Sequence, residues 1–169
     1  MVYAVIDTNI FVSALITHNS NASTARVLES LFLHRIIPLY NDDIIKEYDE
    51  VLHRAKFKLS DDQINTVIEL VKQNGIDSSR FPYDGEMPDE DDRVFYEICL
   101  SKEDSFLVTG NLKHFPKVGD TCNYTNEVVL LRAVASFLLR FLSYVRGTEG
   151  GVKTIEGRFS KRYSLSSSG

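Results

Sequence analysis

Three short apolar runs that lack strict alternation of polar and apolar residues constrain the fold of this chain most strongly. They cover residues 2–6, 36–40 and 106–109, and segments with apolar residues at helical spacing separate them. Such runs are typical of strands buried on both faces, as in parallel sheets covered by helices. The alternation of strands and helices therefore predicts a three-layer α/β/α sandwich around a Rossmann-like central parallel sheet.

Cap and stop signals bound the remaining elements. The pattern predicts helices over 10–16, from 23 or 24 to 34, after Asn41, from Ser60 to a stop at Asn74-Gly75, and over 89–102. It also predicts a last strand over 128–130 and a helix over 131–145. Pro38 favours the end of the second strand. Residues 76–88 are expected to be irregular.

Charge divides the chain into two segments. Residues 131–169 carry seven Lys or Arg and two acids, whereas the first 130 residues carry a net charge of −10. We therefore expect a folded domain over 1–130, then an atypical C-terminal helix and a disordered basic tail over 131–169. The overall charge of −5 is unusual for a protein that only grips nucleic acid, but carboxylates that hold divalent metal would produce it.

The sequence favours a cytoplasmic protein. Its two cysteines form no CxxC motif, so we expect reduced thiols. The first residues show no signal-peptide pattern. The longest apolar stretch, 130–145, is interrupted by Arg132 and Arg140 and is too short and too charged to span a membrane.

Polar residues follow two of the predicted strands where each strand ends. Asp7 comes directly after the first strand, and Asn111 lies two residues past Thr109, the end of a later strand. Ligands of open α/β sheets bind beyond the carboxyl ends of the strands, so these positions share one edge. A lone Asp after a strand is more often a cap or turn residue. The hypothesis of a functional site therefore depends on the whole set of acids.

Two further acidic positions complete that set. Glu47 flanks the apolar stripe of its helix, where it is either half-buried beside a metal or extended to solvent. Residues 89–92 form a run of four acids, which exceeds what pairing with a helix dipole or a cap needs. Asp91 or Asp92 points toward the core. Periodicity slightly favours Asp91, and spacing alone leaves the choice open.

The donor set predicts a hard metal ion. Carboxylates without clustered His or Cys suit Mg²⁺ or Mn²⁺, and the four histidines (18, 34, 53 and 114) are scattered along the chain. Such ions can activate a water and stabilise charge on a phosphodiester. A dinucleotide-binding role is excluded because no GxGxxG follows the first strand.

Four segments resemble the motifs of PIN-domain ribonucleases. They read VIDTNIFVSAL at 5–15, EYDEVL at 47–52, PDEDDRVFYEIC at 88–99 and FLVTGNLKHFP at 106–116. The last two look most like the branch of the family that is assigned to the toxins of prokaryotic toxin–antitoxin pairs. The resemblance covers roughly residues 2–118. It implies a PIN-like fold, divalent-metal-dependent RNA cleavage, and often a dimer neutralised by a small antitoxin.

The resemblance also assigns roles to residues. It implies that three acids are catalytic and hold metal, namely Asp7, Glu47 and Asp92. Asp91 and Asn111 would be additional metal ligands. Asn9 and Thr109 would support the site. Many relatives have Asp at the position of Asn111, and a neutral amide holds metal less tightly. The stretch after Pro116 matches the family poorly, which a shifted reading frame or a natural extension would explain.

Basic residues near these motifs are candidate RNA contacts. They are Arg54, Lys56, Lys113 and His114, which would bind phosphates in a salt-dependent way. For the segment around Lys56, a solvated helix end is an equal alternative. The leading hypothesis is a toxin endoribonuclease whose partners are a small antitoxin and a second copy of the chain in a homodimer. The alternatives are a housekeeping RNA-processing nuclease of the same fold, or a catalytically decayed PIN-like interaction module.

Overall fold

A five-stranded parallel sheet forms the centre of the protein. The computed structural model describes residues 2–116, 123–125, 130–131 and 134–135. The strands are β1 (Val2–Ile6), β2 (Ile36–Tyr40), β3 (Ile76–Asp77), β4 (Phe106–Val108) and β5 (Asn123–Thr125). Their order is β3-β2-β1-β4-β5, and every pair is parallel. The predicted parallel sheet is confirmed.

Five helices flank this sheet and complete the predicted α/β/α architecture. They are α1 (Thr8–Ile16), α2 (Ser23–Phe32), α3 (Asp42–Leu52), α4 (Asp61–Asn74) and α5 (Arg93–Leu100). Helix α5 packs against β1, β2 and β4, whereas α2 and α4 pack against β2. Asn41 caps α3 through its side-chain oxygen, and Ser60 with Gln63 forms a capping box on α4. The predicted cap at Asn41 and the predicted helix start at Ser60 are confirmed, whereas the N-cap of α2 is Ala22 and not Ser23 or Thr24.

The strand order places a topological switch point between β1 and β4. From β1 the chain builds outward through β2 and β3, and it then returns to the other side of β1 with β4 and β5. Ala4 pairs with Phe106 and Ile6 pairs with Val108, so β1 and β4 end at the same level. Open α/β sheets bind ligands at this kind of crevice.

The end of α4 approaches β2 so closely that it needs glycine. A Cβ added at Gly75 would lie 2.5 Å from the carbonyl oxygen of Val71 and 2.7 Å from that of Pro38. The predicted stop at Asn74-Gly75 is confirmed, and its reason is this close packing. Pro38 lies inside β2, opposite Ala4, rather than at its end. The strand tolerates it because β3 pairs only with Leu39 and Tyr40 in the described register.

The largest correction concerns the acidic run. Helix α5 begins at Arg93, not at the predicted residue 89, and residues 88–92 form bends and a turn. The Asp89 carboxylate accepts a hydrogen bond from the Asp91 amide at 3.2 Å, a local bond that competes with helix formation. Repulsion among four neighbouring acids acts in the same direction. Helix α1, by contrast, begins earlier than predicted, at Thr8 directly after the strand.

The chain after Pro116 is described only in part. The last described strand is β5, and Leu130 is helical, so the predicted strand over 128–130 is wrong at that residue. Helical residues 131, 134 and 135 fall within the predicted last helix. Leu130 and Val134 are buried. The described residues all belong to one compact unit that spans residues 1–137, and the predicted tail beyond it lies outside the described residues.

Two expectations about the environment of the protein can be compared with the structure. Cys99 is disulfide-bonded, so the prediction of a reduced thiol is wrong at this position. Within the described residues, no helix has the length and apolar character needed to cross a membrane.

Candidate metal-binding active site

Asp7 lies at the carboxyl end of β1, on the crevice between β1 and β4. Its amide donates to the carbonyl of Val108, the last residue of β4, at 2.9 Å. Its carboxylate accepts hydrogen bonds from the Thr109 hydroxyl and from the backbone amide of Asn9, the latter at 3.0 Å. Only 5% of Asp7 is exposed. The residues that follow the two central strands therefore hold one buried carboxylate in a fixed orientation.

Burial dominates the electrostatics of Asp7. It raises the pKa of the carboxyl, although the bonds from Thr109 and Asn9 and the charge of His114 act to lower it. A buried carboxylate whose charged form is disfavoured gains stability when a cation approaches. This position therefore has the properties of a cation ligand.

The Asn9 side chain joins the first helix to the loop after β4. Its Nδ2 donates to Asp7 Oδ2 at 2.6 Å, and its Oδ1 accepts from the Gly110 amide at 3.2 Å. The Thr109 hydroxyl accepts in turn from the amide of Asn111 at 2.9 Å. Asn9 and Thr109, which were predicted to support the site, thus touch Asp7 directly. The side chain of Asn111 is exposed at the rim.

Tyr48 fixes the helix that carries Glu47. Its ring packs edge-on against Phe11, with centroids 5.0 Å apart, and lies 6.2 Å from Phe95. Its hydroxyl donates to the carbonyl of Ile6, the residue before Asp7. These contacts hold α3 against the end of β1, so the neighbouring Glu47 lies beside the Asp7 crevice.

Glu47 is half-buried among other acids. Burial raises the pKa of its carboxyl, the charge of Arg54 lowers it, and the charges of Asp7 and Asp91 raise it further. The charge effects show that Glu47 lies near Asp7 and Asp91, which come from distant parts of the chain. The structure therefore brings three acids from three motifs into one electrostatic neighbourhood.

The acidic turn before α5 adds Asp92 to the same neighbourhood. Burial raises the pKa of the Asp92 carboxyl to about 6, the hydrogen bond with His114 lowers it, and the charges of Asp7 and Asp89 raise it. The ring Nδ1 of His114 lies 2.9 Å from Asp92 Oδ2. Asp92 is half-buried and coupled to Asp7, whereas Asp91 is exposed and coupled to Glu47. Of these two acids, Asp92 is therefore the less exposed one and the one whose pKa the charge of Asp7 raises.

A buried acid that the sequence reasoning missed anchors this turn. Glu97 is only 6% exposed and accepts from the Nε of Arg80 at 2.7 Å and from the Tyr83 amide at 3.0 Å. Although burial alone would raise it, these two donors hold the pKa of the Glu97 carboxyl below its usual value. Arg93 donates to the Tyr83 carbonyl at 2.6 Å and pairs with Glu90. The segment that ends in Asp89–Asp92 is thus fixed onto α5.

The predicted RNA contacts differ in their surroundings. Arg54 is exposed and lies close enough to Glu47 to lower the pKa of that carboxyl. The Lys56 ammonium lies 4.8 Å from the ring centroid of its neighbour Phe57, and Lys113 is exposed. His114 instead faces Asp89 and Asp92, with 3.1 Å between its Nδ1 and Asp89 Oδ2.

The grouping of Asp89, Asp92 and His114 was also missed. One potential ligand atom from each lies within 4.8 Å of the other two. The expectation of carboxylates without a clustered histidine is therefore wrong for His114. The available signal was its position five residues after Thr109, at the mouth of the same crevice. Spacing along the chain did not show that a short 3₁₀ helix, Leu112–His114, turns the ring back toward the acids.

Comparison with protein families identifies the class. The family model described as PIN domain matches residues 3–113, a range that includes every acid of the site. The chain belongs to the PIN-domain family, and this membership indicates nuclease activity in general. No curated protein and no solved structure matches the chain.

Proposed function

We propose that this protein is a divalent-metal-dependent endoribonuclease that hydrolyses RNA phosphodiester bonds at the Asp7 site. The observation that carries the proposal is the buried Asp7 carboxylate, 5% exposed, with Glu47 and Asp92 beside it and the pKa of all three raised. Ionising all three acids together is costly unless a cation neutralises them.

The donor set fits Mg²⁺ or Mn²⁺. Asp7, Glu47 and Asp92 would hold the ion, with Asp91 and Asn111 as further oxygen donors at the rim. Carboxylate and amide oxygens are the ligands that these ions prefer. A bound ion of this kind would supply Lewis-acid chemistry, lowering the pKa of a water and neutralising charge on the phosphate.

The remaining residues orient the acids and attract the substrate. Asn9 and Thr109 restrict the rotation of the Asp7 carboxylate through three hydrogen bonds between side chains, which prepares it for a ligand before one arrives. Arg54, Lys56 and Lys113 would contact backbone phosphates. Such contacts are independent of sequence and weaken as salt rises.

Cleavage of labelled RNA tests this function. A single-stranded RNA labelled at one end is incubated with wild-type protein in Mg²⁺, in Mn²⁺ and in EDTA, and a DNA of the same sequence serves as the substrate control. We expect internal cleavage of the RNA that needs metal and is lost in Asp7→Asn. Glu69→Gln, an exposed change on α4, is the matched control and should cleave normally. Cleavage in EDTA, or by Asp7→Asn, would contradict the proposal.

The biological role that we propose is the toxin of a toxin–antitoxin pair in the cytoplasm. The support is the resemblance of residues 88–99 and 106–116 to that branch of the family. Its partners would be an RNA substrate, a small antitoxin and a second copy of the chain. Inducible expression in a bacterial host should arrest growth, and Asp7→Asn should relieve the arrest. RNA cleavage in vitro without growth arrest would favour a housekeeping nuclease. Metal binding without RNA cleavage would favour a catalytically decayed interaction module.

A further inference from the structure

A histidine and two carboxylates converge at one edge of the acid group. The Nδ1 of His114 lies 2.9 Å from Asp92 Oδ2 and 3.1 Å from Asp89 Oδ2. All three side chains are partly exposed, at 31% for His114, 18% for Asp92 and 37% for Asp89. The cluster is therefore shielded enough to favour ligand binding and open enough for an ion to enter.

Backbone hydrogen bonds and burial fix the two loops that carry the three side chains. The amide of His114 donates to the carbonyl of Asn111 at 3.0 Å, and the next residue, Phe115, is buried at 3% exposure. On the other side, the Asp89 carboxylate accepts from the Asp91 amide. Arg93 fixes the end of the same turn through the Tyr83 carbonyl. The convergence is thus built into two separate loops.

The distances from the His114 ring nitrogen to the two carboxylates suit cis ligands of a single ion. Two donors that lie about 2.1 Å from one ion at a right angle are about 3.0 Å from each other. Both nitrogen–oxygen distances at His114, 2.9 Å and 3.1 Å, are close to this value. The same distances also fit a protonated imidazole bridging two carboxylates, and the experiment below separates the two arrangements.

We propose that Asp89, Asp92 and His114 bind a second divalent cation, of the first-row transition series, at a position that shares Asp92 with the Asp7 site. An imidazole nitrogen is a borderline donor that suits Mn²⁺ and later ions better than Mg²⁺. Neither Asp89 nor His114 belongs to the metal-ligand set proposed above. The inference rests on the proposed function only through the shared Asp92.

Electron spin-echo spectroscopy of bound Mn²⁺ tests the proposal directly, because histidine nitrogen bound to manganese modulates the echo. Protein labelled with ¹⁵N at histidine alone is measured at one and two equivalents of Mn²⁺. We expect ¹⁵N modulation in the wild type and its loss in His114→Gln. His18→Gln, an exposed histidine beyond the end of α1, is the matched control and should keep the signal.

Titration calorimetry gives a second readout. His114→Gln and Asp89→Asn should each weaken the second Mn²⁺ binding event by about tenfold or more while changing Mg²⁺ binding by less than about threefold. Circular dichroism establishes whether each variant is folded. If His114→Gln does not fold, Asp89→Asn is the variant that tests the second binding event. Absence of ¹⁵N modulation in the wild type would overturn the proposal and indicate an imidazolium bridge. A signal unchanged in His114→Gln would also overturn it, by showing that another histidine binds the ion.

The two proposals can fail separately. If the wild type shows nitrogen-coupled Mn²⁺ but cuts no RNA, the nuclease proposal fails and the second cation position stands. If metal-dependent cleavage occurs without nitrogen coupling, only the second position falls. In Asp7→Asn, the nitrogen signal should persist because Asp89, Asp92 and His114 remain.

Discussion

The Thr109 hydroxyl donates a hydrogen bond to the Asp7 carboxylate, 102 positions earlier in the chain. Both residues are buried, with Thr109 fully enclosed. The same hydroxyl accepts from the Asn111 amide at 2.9 Å. One side chain at the end of β4 thus connects the central acid to the loop that carries Asn111.

Thr109→Val tests the positioning role of this hydroxyl. The change keeps the shape of the side chain but removes a donor that lowers the pKa of Asp7. The pKa of Asp7 should therefore rise further, and the acid limb of the pH–rate profile for RNA cleavage should move to higher pH. We also expect cleavage to fall by about tenfold at pH 7. Thr66→Val, which removes an exposed hydroxyl bonded to the Asp62 carbonyl, should leave the acid limb in place, and an unmoved limb in Thr109→Val would contradict this role.

Tyr48→Phe should destabilise the fold and loosen the position of Glu47. The Tyr48 side chain is almost fully buried, and its hydroxyl bonds the Ile6 carbonyl. Loss of that donor leaves a buried acceptor short of a partner, which costs about 1–3 kcal/mol in unfolding free energy. Urea denaturation measures it. Tyr40→Phe removes a hydroxyl from a longer, exposed bond to the Lys72 carbonyl and should cost less than about 0.5 kcal/mol. Equal costs for the two variants would be inconsistent with the buried bond.

Thr8→Val should stabilise the protein. Among the described residues, Thr8 Oγ1 is a buried side-chain atom without a hydrogen-bond partner, and the residue is 4% exposed. Replacing the hydroxyl by a methyl group of similar size removes the desolvation cost, for a gain of about 1 kcal/mol in urea denaturation. A loss of stability instead would mean that the hydroxyl has a partner.

Asp92→Asn should change how stability depends on pH. The pKa of Asp92 is raised from 3.8 to about 6, so the folded protein binds this proton more tightly than the unfolded chain. The stability of metal-free wild type therefore falls as pH rises through that interval, and the Asn variant avoids this loss. In EDTA the two proteins should be equally stable near pH 4. At pH 7.5 the variant should be more stable by about 1 kcal/mol, allowing for solvent screening.

Urea denaturation at several pH values measures this difference, with Glu69→Gln as the control for loss of an exposed charge. A wild type that is more stable than Asp92→Asn at pH 7.5 without metal would contradict the burial of this carboxyl. Added Mn²⁺ should reverse the order at pH 7.5, because ligand binding stabilises only the folded protein that can hold the ion.

The sheet and most helices could be predicted because their signals are local. Val2–Ile6 is apolar throughout, as a strand covered on both faces requires, and Asn41 and Ser60 carry recognisable cap chemistry. The start of α5 could not be predicted in this way. The helix starts at Arg93 because the Arg93 side chain bonds to the Tyr83 carbonyl and the Asp89 carboxylate accepts from the Asp91 amide. These bonds favour a turn over residues 89–92, although the sequence pattern of that segment predicts a helix.

The same distinction between local and long-range signals applies to the candidate site. Asp7, Glu47 and the acidic run could be proposed because each follows a strand or flanks an apolar stripe. The partnership of His114 with Asp89 and Asp92 joins residues more than twenty positions apart, and only the fold of two loops brings them together. Periodicity could not decide between Asp91 and Asp92, because neither lies in a helix that follows the assumed register.

Titration calorimetry of Mn²⁺ with metal-free wild type, Asp7→Asn and Glu69→Gln tests the central claim most directly. We predict saturable binding to the wild type and to Glu69→Gln, with the binding event that depends on Asp7 absent from Asp7→Asn although that protein remains folded. Failure of the folded wild type to bind Mn²⁺ or Mg²⁺, or identical isotherms for wild type and Asp7→Asn, would contradict a metal site centred on Asp7.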